Sequence, residues 1–382
     1  MSAIDRYEVR NVLGEGATSK VYLAHDPKMD REVAVKLLAS NAPFEVRERF
    51  RLEAKAIATL KHPNIVELYD YSGPDAQDLF LVMEYIPGRS LYVVTREHGP
   101  MSEATALCVG HELALALDHA HAHHIVHRDL KPENVLLSSG RIVLTDFGAV
   151  KAVALDNPLG VSSVHTRTKM VGTPGFMPPE QFDGRGIDQR SDIFSLGATL
   201  YNLTTSRIPY EGGSVEQTYK NLKSGRYVDP REHHPLLSPD FCRLLAGALA
   251  PNPKSRYKSA AQFKEQILGL IGSHGVTEIR SELSRYEGSP AIVAVEQRER
   301  SLGVLLRDLK VALKDRDVEQ ARALIDRIQT IAPLDERVQQ VSEGVMRPVA
   351  QAASARGARW AWLGMGFVAG AVAGGLAVWL AG

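Results

Sequence analysis

A chain of 382 residues is long enough for two or three domains, or for one large two-lobed unit. Its 44% apolar and 24% charged residues exclude a disordered, collagen-like or mucin-like chain over most of the length, and 45 basic against 45 acidic residues leave no net charge to attract nucleic acid. Two cysteines, Cys108 and Cys242, cannot build a disulfide framework and are expected as buried thiols in a reducing compartment. The first residues, Met1 to Arg6, hold no apolar stretch of the kind a signal peptide needs, and no local basic patch points to a nucleic-acid partner.

Residues up to about 270 read as one continuous folded unit, rich in strands first and in helices later. Apolar and polar residues alternate over 10–23 and 32–38, which predicts strands. Residues 44–60 have helical spacing, and 79–85 read as a further strand. From Ser102 onward helices dominate, with predicted spans at 102–119, 192–204, 215–224 and 238–249. Between 271 and 300 the pattern weakens and a linker is expected.

Helical spacing returns over 301–346. Leu302, Leu305, Leu306, Leu309 and Leu313 fall on one face; after a charged turn, Asp317 and Gln320 form a capping pair for a second helix carrying Val318, Ala321, Ile325 and Ile328. The pair resembles one tetratricopeptide-type hairpin, and a helical spacer or coiled-coil segment fits the pattern as well. Residues 347–359 are basic, with Arg347, Arg356 and Arg359. Residues 360–382 then carry no charge and have Trp360, Trp362 and Trp379 near their ends. From Trp360 to Trp379 a helix would span about 28 Å, close to the hydrocarbon thickness of a bilayer. A single transmembrane helix is expected there, with the upstream residues on the cytoplasmic side of the cell membrane by the positive-inside rule. Gly366, Gly370 and Gly374 would permit a homodimer through close helix pairing; they also fit ordinary membrane-helix composition.

The chemistry begins at Gly14-Glu15-Gly16-Ala17-Thr18-Ser19-Lys20-Val21, between two strand-like runs. Glycines there let backbone N–H groups approach phosphate oxygens without a Cβ in the way. In Val33-Ala34-Val35-Lys36 the strand period puts Ala34 and Lys36 on one face, where a small side chain can lie on a flat base while the ammonium reaches a phosphate. Glu53 sits three residues after Phe50 and four before Ile57, on the apolar face of its helix, so its carboxylate needs a cation; Lys36 is the candidate, with Arg49 as the surface alternative. Then come His127-Arg128-Asp129-Leu130-Lys131-Pro132-Glu133-Asn134 and Asp146-Phe147-Gly148. Asn134 and Asp146 are each six residues from Gly140, and a hairpin pivoting there would set them side by side as hard-oxygen ligands for Mg²⁺.

This set resembles the eukaryotic-type (Hanks-type) Ser/Thr protein kinase family, in its membrane-anchored bacterial form, over residues 7–270. Gly172 to Glu180 resembles the peptide-docking end of the activation segment, Ser191 to Gly197 the buried helix whose Asp192 would hold the catalytic loop, and Arg256 the partner of Glu180. Two positions depart from the family pattern: Ser19 stands for the third glycine and Pro179 for an alanine.

The resemblance implies an α+β bilobal kinase fold with a β-rich N-lobe and a helical C-lobe, ATP with Mg²⁺ or Mn²⁺ as cofactors, and protein substrates bearing Ser or Thr. It implies that residues 13–21 (Leu13, Gly14, Glu15, Gly16, Ala17, Thr18, Ser19, Lys20, Val21) cover the nucleotide, and that Leu13, Val21, Ala34 and Leu136 enclose the adenine. Backbone groups of Glu84 and Ile86, next to Met83, would bind its edge. Lys36, held by Glu53, would orient the phosphates. Asn134 and Asp146 would bind metal, Asp129 would accept the substrate proton, and Lys131 would steady the γ-phosphate; Lys131 with Thr173 fits Ser/Thr specificity. Arg128 beside Ser162, Ser163, Thr166 and Thr168 suggests autophosphorylation, with Thr166 or Thr168 as the favoured sites. His119, His121, His123 and His124 lack metal-ligand spacing and are expected as helix-end and surface residues. A pseudokinase would have lost one of the catalytic side chains, a small-molecule phosphotransferase would lack the features at 172–180 and 256, and a membrane adaptor would not need the first 270 residues.

Overall fold

A computed structural model describes residues 3–16, 18–73, 76–147, 174–184, 186–315 and 317–333. Outside the described residues lie Ala17, Gly148, Ser162, Ser163, Thr166, Thr168, Gly172 and Thr173, and also 334–346, the basic segment 347–359 and the charge-free segment 360–382. Among the described residues no helix is long and apolar enough to cross a membrane. The chain divides into two compact units, one of residues 1–271 with 276–293 and one of 272–275 with 294–382.

The first unit begins with strands. β1 (Ala3–Ile4), β2 (Tyr7–Glu15), β3 (Ser19–Asp26) and β4 (Arg31–Leu38) are followed by helix α1 (Phe44–Ala58), β5 (Leu68–Tyr71) and β6 (Phe80–Glu84). The six strands form one sheet in the order β1-β2-β3-β4-β6-β5. In β4 the pleat sends Val33 and Val35 into a cluster with Tyr7, Ala24, Phe80 and Val82. The opposite face carries Leu38, Leu81 and Met83 against Phe50 and Ala54 of α1. Ala34 is opposite Met83 and Lys36 opposite Leu81, so Lys36 shares the α1-facing side.

The helical half follows. β7 (Arg89–Ser90), α2 (Leu91–His98) and α3 (Glu103–Ala122) lead to the hairpin β8 (Val135–Ser138) and β9 (Arg141–Leu144). Then come α4 (Pro179–Phe182), α5 (Gln189–Thr205), α6 (Val215–Ser224), α7 (Pro230–His233), α8 (Pro239–Ala248), α9 (Ala260–Ser273) and α10 (Ile279–Gly288). Helices α3 and α5 bury residues on every side, as central helices do. Their starts are written in the sequence: Ser102 accepts from Thr105 N–H and Asp188 from Arg190 N–H. Ser214 and Ser238 cap α6 and α8 in the same way, and Pro239 opens α8.

The stretch expected as a linker over 271–300 is largely helical instead. Glu278 caps α10, which buries Glu282, Leu283 and Tyr286, and α11 (Pro290–Lys314) begins two residues after α10 ends. Only three residues of α10 are apolar enough to signal a packed face, too few to register as periodicity in a polar segment.

In the second unit, Leu302, Leu305, Leu309 and Leu313 pack against Ala321, Ile325, Ile328 and Ile331 of α12 (Val318–Ile331). Asp317 accepts from Gln320 N–H at 2.9 Å, the capping contact expected from the sequence.

Candidate active site

The site assembles where the sheet, α1 and the β8–β9 hairpin meet. Lys36 Nζ lies 2.7 Å from Glu53 Oε1 and 2.9 Å from Asp146 Oδ1. Glu53 pairs with Lys36 from the inward face of α1; its side chain is only 3% exposed. Burial alone would lower the Lys36 ammonium, and the two carboxylates raise it above its ordinary value. Burial pushes Glu53 up to about 7 against the pull of Lys36, and the charge of Asp146 adds to the rise.

The hairpin corrects one expectation. Its tight turn has both Ser139 and Gly140 at positive φ, 50° and 72°, the arrangement of a two-residue type I′ turn. The pivot therefore falls between the two residues, Ser138 opposes Arg141 and Val135 opposes Leu144. Continuing that register brings Asn134 to Thr145, whose N–H and hydroxyl donate to Asn134 O at 2.9 and 3.1 Å. Asp146 lies one residue farther, with φ at 59°, a left-handed conformation unusual for aspartate and typical of strained functional positions.

The catalytic-loop candidates are held by one another. Lys131 Nζ lies 3.1 and 2.9 Å from the two oxygens of Asp129. Asn134 Nδ2 donates to Asp129 O at 2.8 Å and to Asp129 Oδ2 at 3.1 Å, so the amide oxygen is the atom of that side chain that could hold a metal. Below them, fully buried Asp192 accepts from His127 N–H and Arg128 N–H, both at 2.8 Å. Burial would raise Asp192, but the hydrogen bond from His121, its charge and these backbone donors hold it below the ordinary carboxylate range. Its place in the first turn of α5 adds the favourable end of the helix dipole. Asp129 N–H donates to His127 Nδ1, so Nε2 carries the proton and donates to Thr145 O at 3.0 Å. That bond ties the catalytic loop to the residue before Asp146.

His121 corrects the expectation of surface histidines. Its side chain is 5% exposed, and Nε2 donates to Asp192 Oδ2 at 2.8 Å. The signal was present in the pairing of a helix-end histidine with a buried aspartate, yet those residues are 71 positions apart. His119 and His123 stack at 4.6 Å between ring centroids. Gln181 Nε2 donates to Arg128 O at 2.8 Å, another holder of the loop that sequence reasoning missed.

Of the nucleotide-cover candidates, Glu15 and Lys20 face each other across β2 and β3 with a 2.9 Å ion pair. Thr18 O accepts from Ala39 N–H, and Gly16 N–H donates to Ser19 O at 2.8 Å. A Cβ at Gly14 would meet nothing within 4 Å and neither Gly14 nor Gly16 is left-handed, so the hairpin itself does not demand glycine and space is left beside it. Leu13 is exposed, Val21 and Leu136 half-buried, and Ala34, Met83 and Ile86 buried. Leu136 packs on the cluster that holds Met83 and Ile86. Glu84 N–H donates to Glu67 O, while its carboxylate pairs with Arg141 at 2.5 and 3.1 Å. Glu180 and Arg256 form a buried two-pronged pair at 2.7 and 2.9 Å.

The sequence matches the family described as "Protein kinase domain" over residues 7–267. It is 35% identical over 273 residues to serine/threonine-protein kinase PknB of Mycobacterium leprae (strain TN), covering 69% of this chain and 43% of that protein. To serine/threonine-protein kinase PksC of Streptomyces coelicolor it is 37% identical over 279 residues, covering 70% and 49%, and to PrkC of Bacillus subtilis (strain 168) 34% identical over 286 residues, covering 74% and 43%. The aligned stretch is thus less than half the length of these curated relatives.

Proposed function

The chain belongs to the protein kinase family, with a Ser/Thr-type kinase domain over residues 7–267, and from that premise we propose that it transfers the ATP γ-phosphoryl group to Ser and Thr hydroxyls of proteins. The observation that carries the proposal is Lys36 bridging Glu53 and Asp146 at 2.7 and 2.9 Å, a strand, a helix and a hairpin end converging on one ammonium.

Phosphoryl transfer passes through a loose transition state whose charge is spread over oxygens, so the protein's task is positioning and charge stabilisation. Lys36, steadied by Glu53, would turn from Asp146 to the α and β phosphates. Asp129 would orient the substrate hydroxyl and accept its proton as the O–P bond forms and the bond to the leaving ADP breaks. Lys131, beside Asp129, would face the transferred group. Backbone groups at Glu84 and Ile86 would bind the adenine edge, with Leu13, Val21, Ala34 and Leu136 about the ring. Asn134 and Asp146 supply an amide oxygen and a carboxylate, the hard donors a Mg²⁺ or Mn²⁺ takes, and the bound ion would neutralise the phosphate oxygens. The Asn134 amide suits that use because its nitrogen is already engaged with Asp129.

Two finer readings accompany this one. Arg128 puts a positive charge next to Asp129, which supports autophosphorylation at Thr166 or Thr168. The charge-free run 360–382 behind Arg347, Arg356 and Arg359 supports a membrane anchor with the kinase domain in the cytoplasm, and a homodimer through Gly366, Gly370 and Gly374.

The test is incubation with Mg²⁺ and γ-labelled ATP and a generic basic protein. Asp146→Asn and Lys36→Met are expected to lower label transfer by roughly 10²–10³-fold or more while the circular dichroism stays that of the wild type. Ordinary turnover by either variant would refute the assignments. Phosphopeptide mapping of wild type against Asp146→Asn reads autophosphorylation in the same samples; identical maps reject it.

A further inference from the structure

Helix α10 lies beyond the family-matched residues 7–267, yet it packs on the hairpin that carries the metal-ligand candidates. Leu283 and Tyr286 are buried in the same core cluster as Leu137 of β8 and Ile142 of β9. At the hairpin turn the contact is backbone on backbone. A Cβ at Gly140 would stand 2.5 Å from Arg280 O and 2.8 Å from Ser284 N, closer than a side chain can come. Gly140 N–H donates to Glu287 Oε2 at 2.9 Å, so a carboxylate of α10 fastens the turn.

The hairpin behaves as a short lever. Asn134 immediately precedes β8 and Asp146 follows β9 by two residues, while the turn lies about 17–20 Å away at ~3.4 Å per residue. Several contacts hold it, among them Arg141 beside the turn, which donates to Pro63 O and pairs with Glu84. Arg89 of β7 pairs with Leu137 on one edge. On the other edge Leu144 N–H donates to Asn64 O at 2.8 Å and Val66 N–H to Leu144 O at 3.0 Å. At the turn itself the hold on Gly140 comes from Glu287 of α10.

We infer that α10 is a positioning element of the active site and Glu287 its positioning residue: by holding the Gly140 turn it fixes the tilt of β8 and β9, and with it the placement of Asn134 and Asp146. The inference rests on the kinase reading and deepens it. A displacement near 1 Å among reacting groups costs on the order of a hundredfold, so loosening one of several clamps costs less.

The experiment uses the full chain, with ATP kinetics and amide hydrogen exchange on wild type, Glu287→Ala and Glu287→Gln. Glu287→Ala is expected to lower kcat about five- to tenfold with KM for ATP moved less than about twofold. It is also expected to speed exchange of Thr145 N–H, which is bonded to Asn134 O at the far end of the hairpin. In Glu287→Gln the amide oxygen still accepts from Gly140, and both quantities are expected to return to within about twofold of wild type. A lowered unfolding midpoint in Glu287→Ala with kcat and Thr145 exchange unmoved makes the contact structural only and overturns the inference. Should the wild type transfer no phosphate, the kinase reading fails by itself and Thr145 exchange still decides the clamp: faster exchange in Glu287→Ala supports it, unchanged exchange overturns it.

Discussion

Lys36 is a single cation between two carboxylates, and that imbalance governs the residue chemistry of the site. Burial first, and then the charge of Asp146, make Glu53 hold its proton longer in spite of Lys36, up to about 7 from its ordinary 4.5. The folded protein then keeps a proton that the unfolded chain has already released. The associated stability is complete below the unfolded pKa and is lost as pH climbs through the folded one. Glu53→Gln abolishes this titration. Relative to wild type, its urea midpoint is expected to increase between about pH 5 and pH 8, by the equivalent of at most about 3 kcal/mol. Its phosphoryl transfer is expected to fall over the same range, since a neutral amide holds Lys36 less firmly. A difference between the two proteins that stays flat with pH means that Glu53 is ionised throughout and that the Lys36 charge outweighs its burial.

At the scale of elements, the Glu180–Arg256 pair joins α4 to the segment before α9. The Arg256 side chain is fully buried and also donates to Ala250 O, Arg190 O and Pro251 O, with its guanidinium 4.9 Å from the Phe194 ring centre. Ser191 Oγ also donates to Glu180 Oε1, at 2.8 Å, and this contact would stay in place without Arg256. Arg256→Met is expected to cost about 3–5 kcal/mol, and adding Glu180→Gln to recover part of it, because the penalty lies in the stranded charge. Denaturant unfolding of the two variants measures both; equal losses would show that packing by the Arg256 stem, rather than charge, is what matters. This pairing and that of Lys36 with Glu53 were legible in the sequence because family motifs and helix periodicity mark their members. The strand and helix spans that carry strong period-two or capping signals, such as β4 and α6, were legible for the same reason. What escaped depended on partners distant in sequence: β5 and β7 are short strands defined by pairing, His121 reads as a surface residue until Asp192 is placed beside it, and α10 shows its packed face only against α3 and the hairpin. The turn register escaped for a different reason, since a two-residue loop with both φ positive was mistaken for a pivot on one glycine.

At the scale of the whole molecule, 45 positive and 45 negative charges cancel, so attraction of the folded part to an anionic bilayer offers little hold. Any firm attachment must come from hydrophobic insertion. A charge-free run from Trp360 to Gly382 supplies enough apolar length, and Arg356 and Arg359 stand just upstream of it, the flank that the proposed anchor would leave in the cytoplasm. Such a helix would resist extraction by high salt and by alkaline carbonate, which strip electrostatic and peripheral attachments. The 382-residue chain expressed in bacteria is therefore expected in the carbonate-resistant membrane pellet, and the chain lacking residues 360–382 in the supernatant. The shortened protein is expected to retain kcat for a soluble substrate within about twofold, because no residue assigned to phosphoryl transfer is removed. Replacing Val372 with Arg tests the same idea without shortening the chain, since a cation near the bilayer centre costs about 2.5–3.5 kcal/mol on the insertion scale and should weaken retention. Release of the 382-residue chain by salt alone would assign residues 360–382 to some use other than spanning the bilayer, and would leave the kinase chemistry untouched.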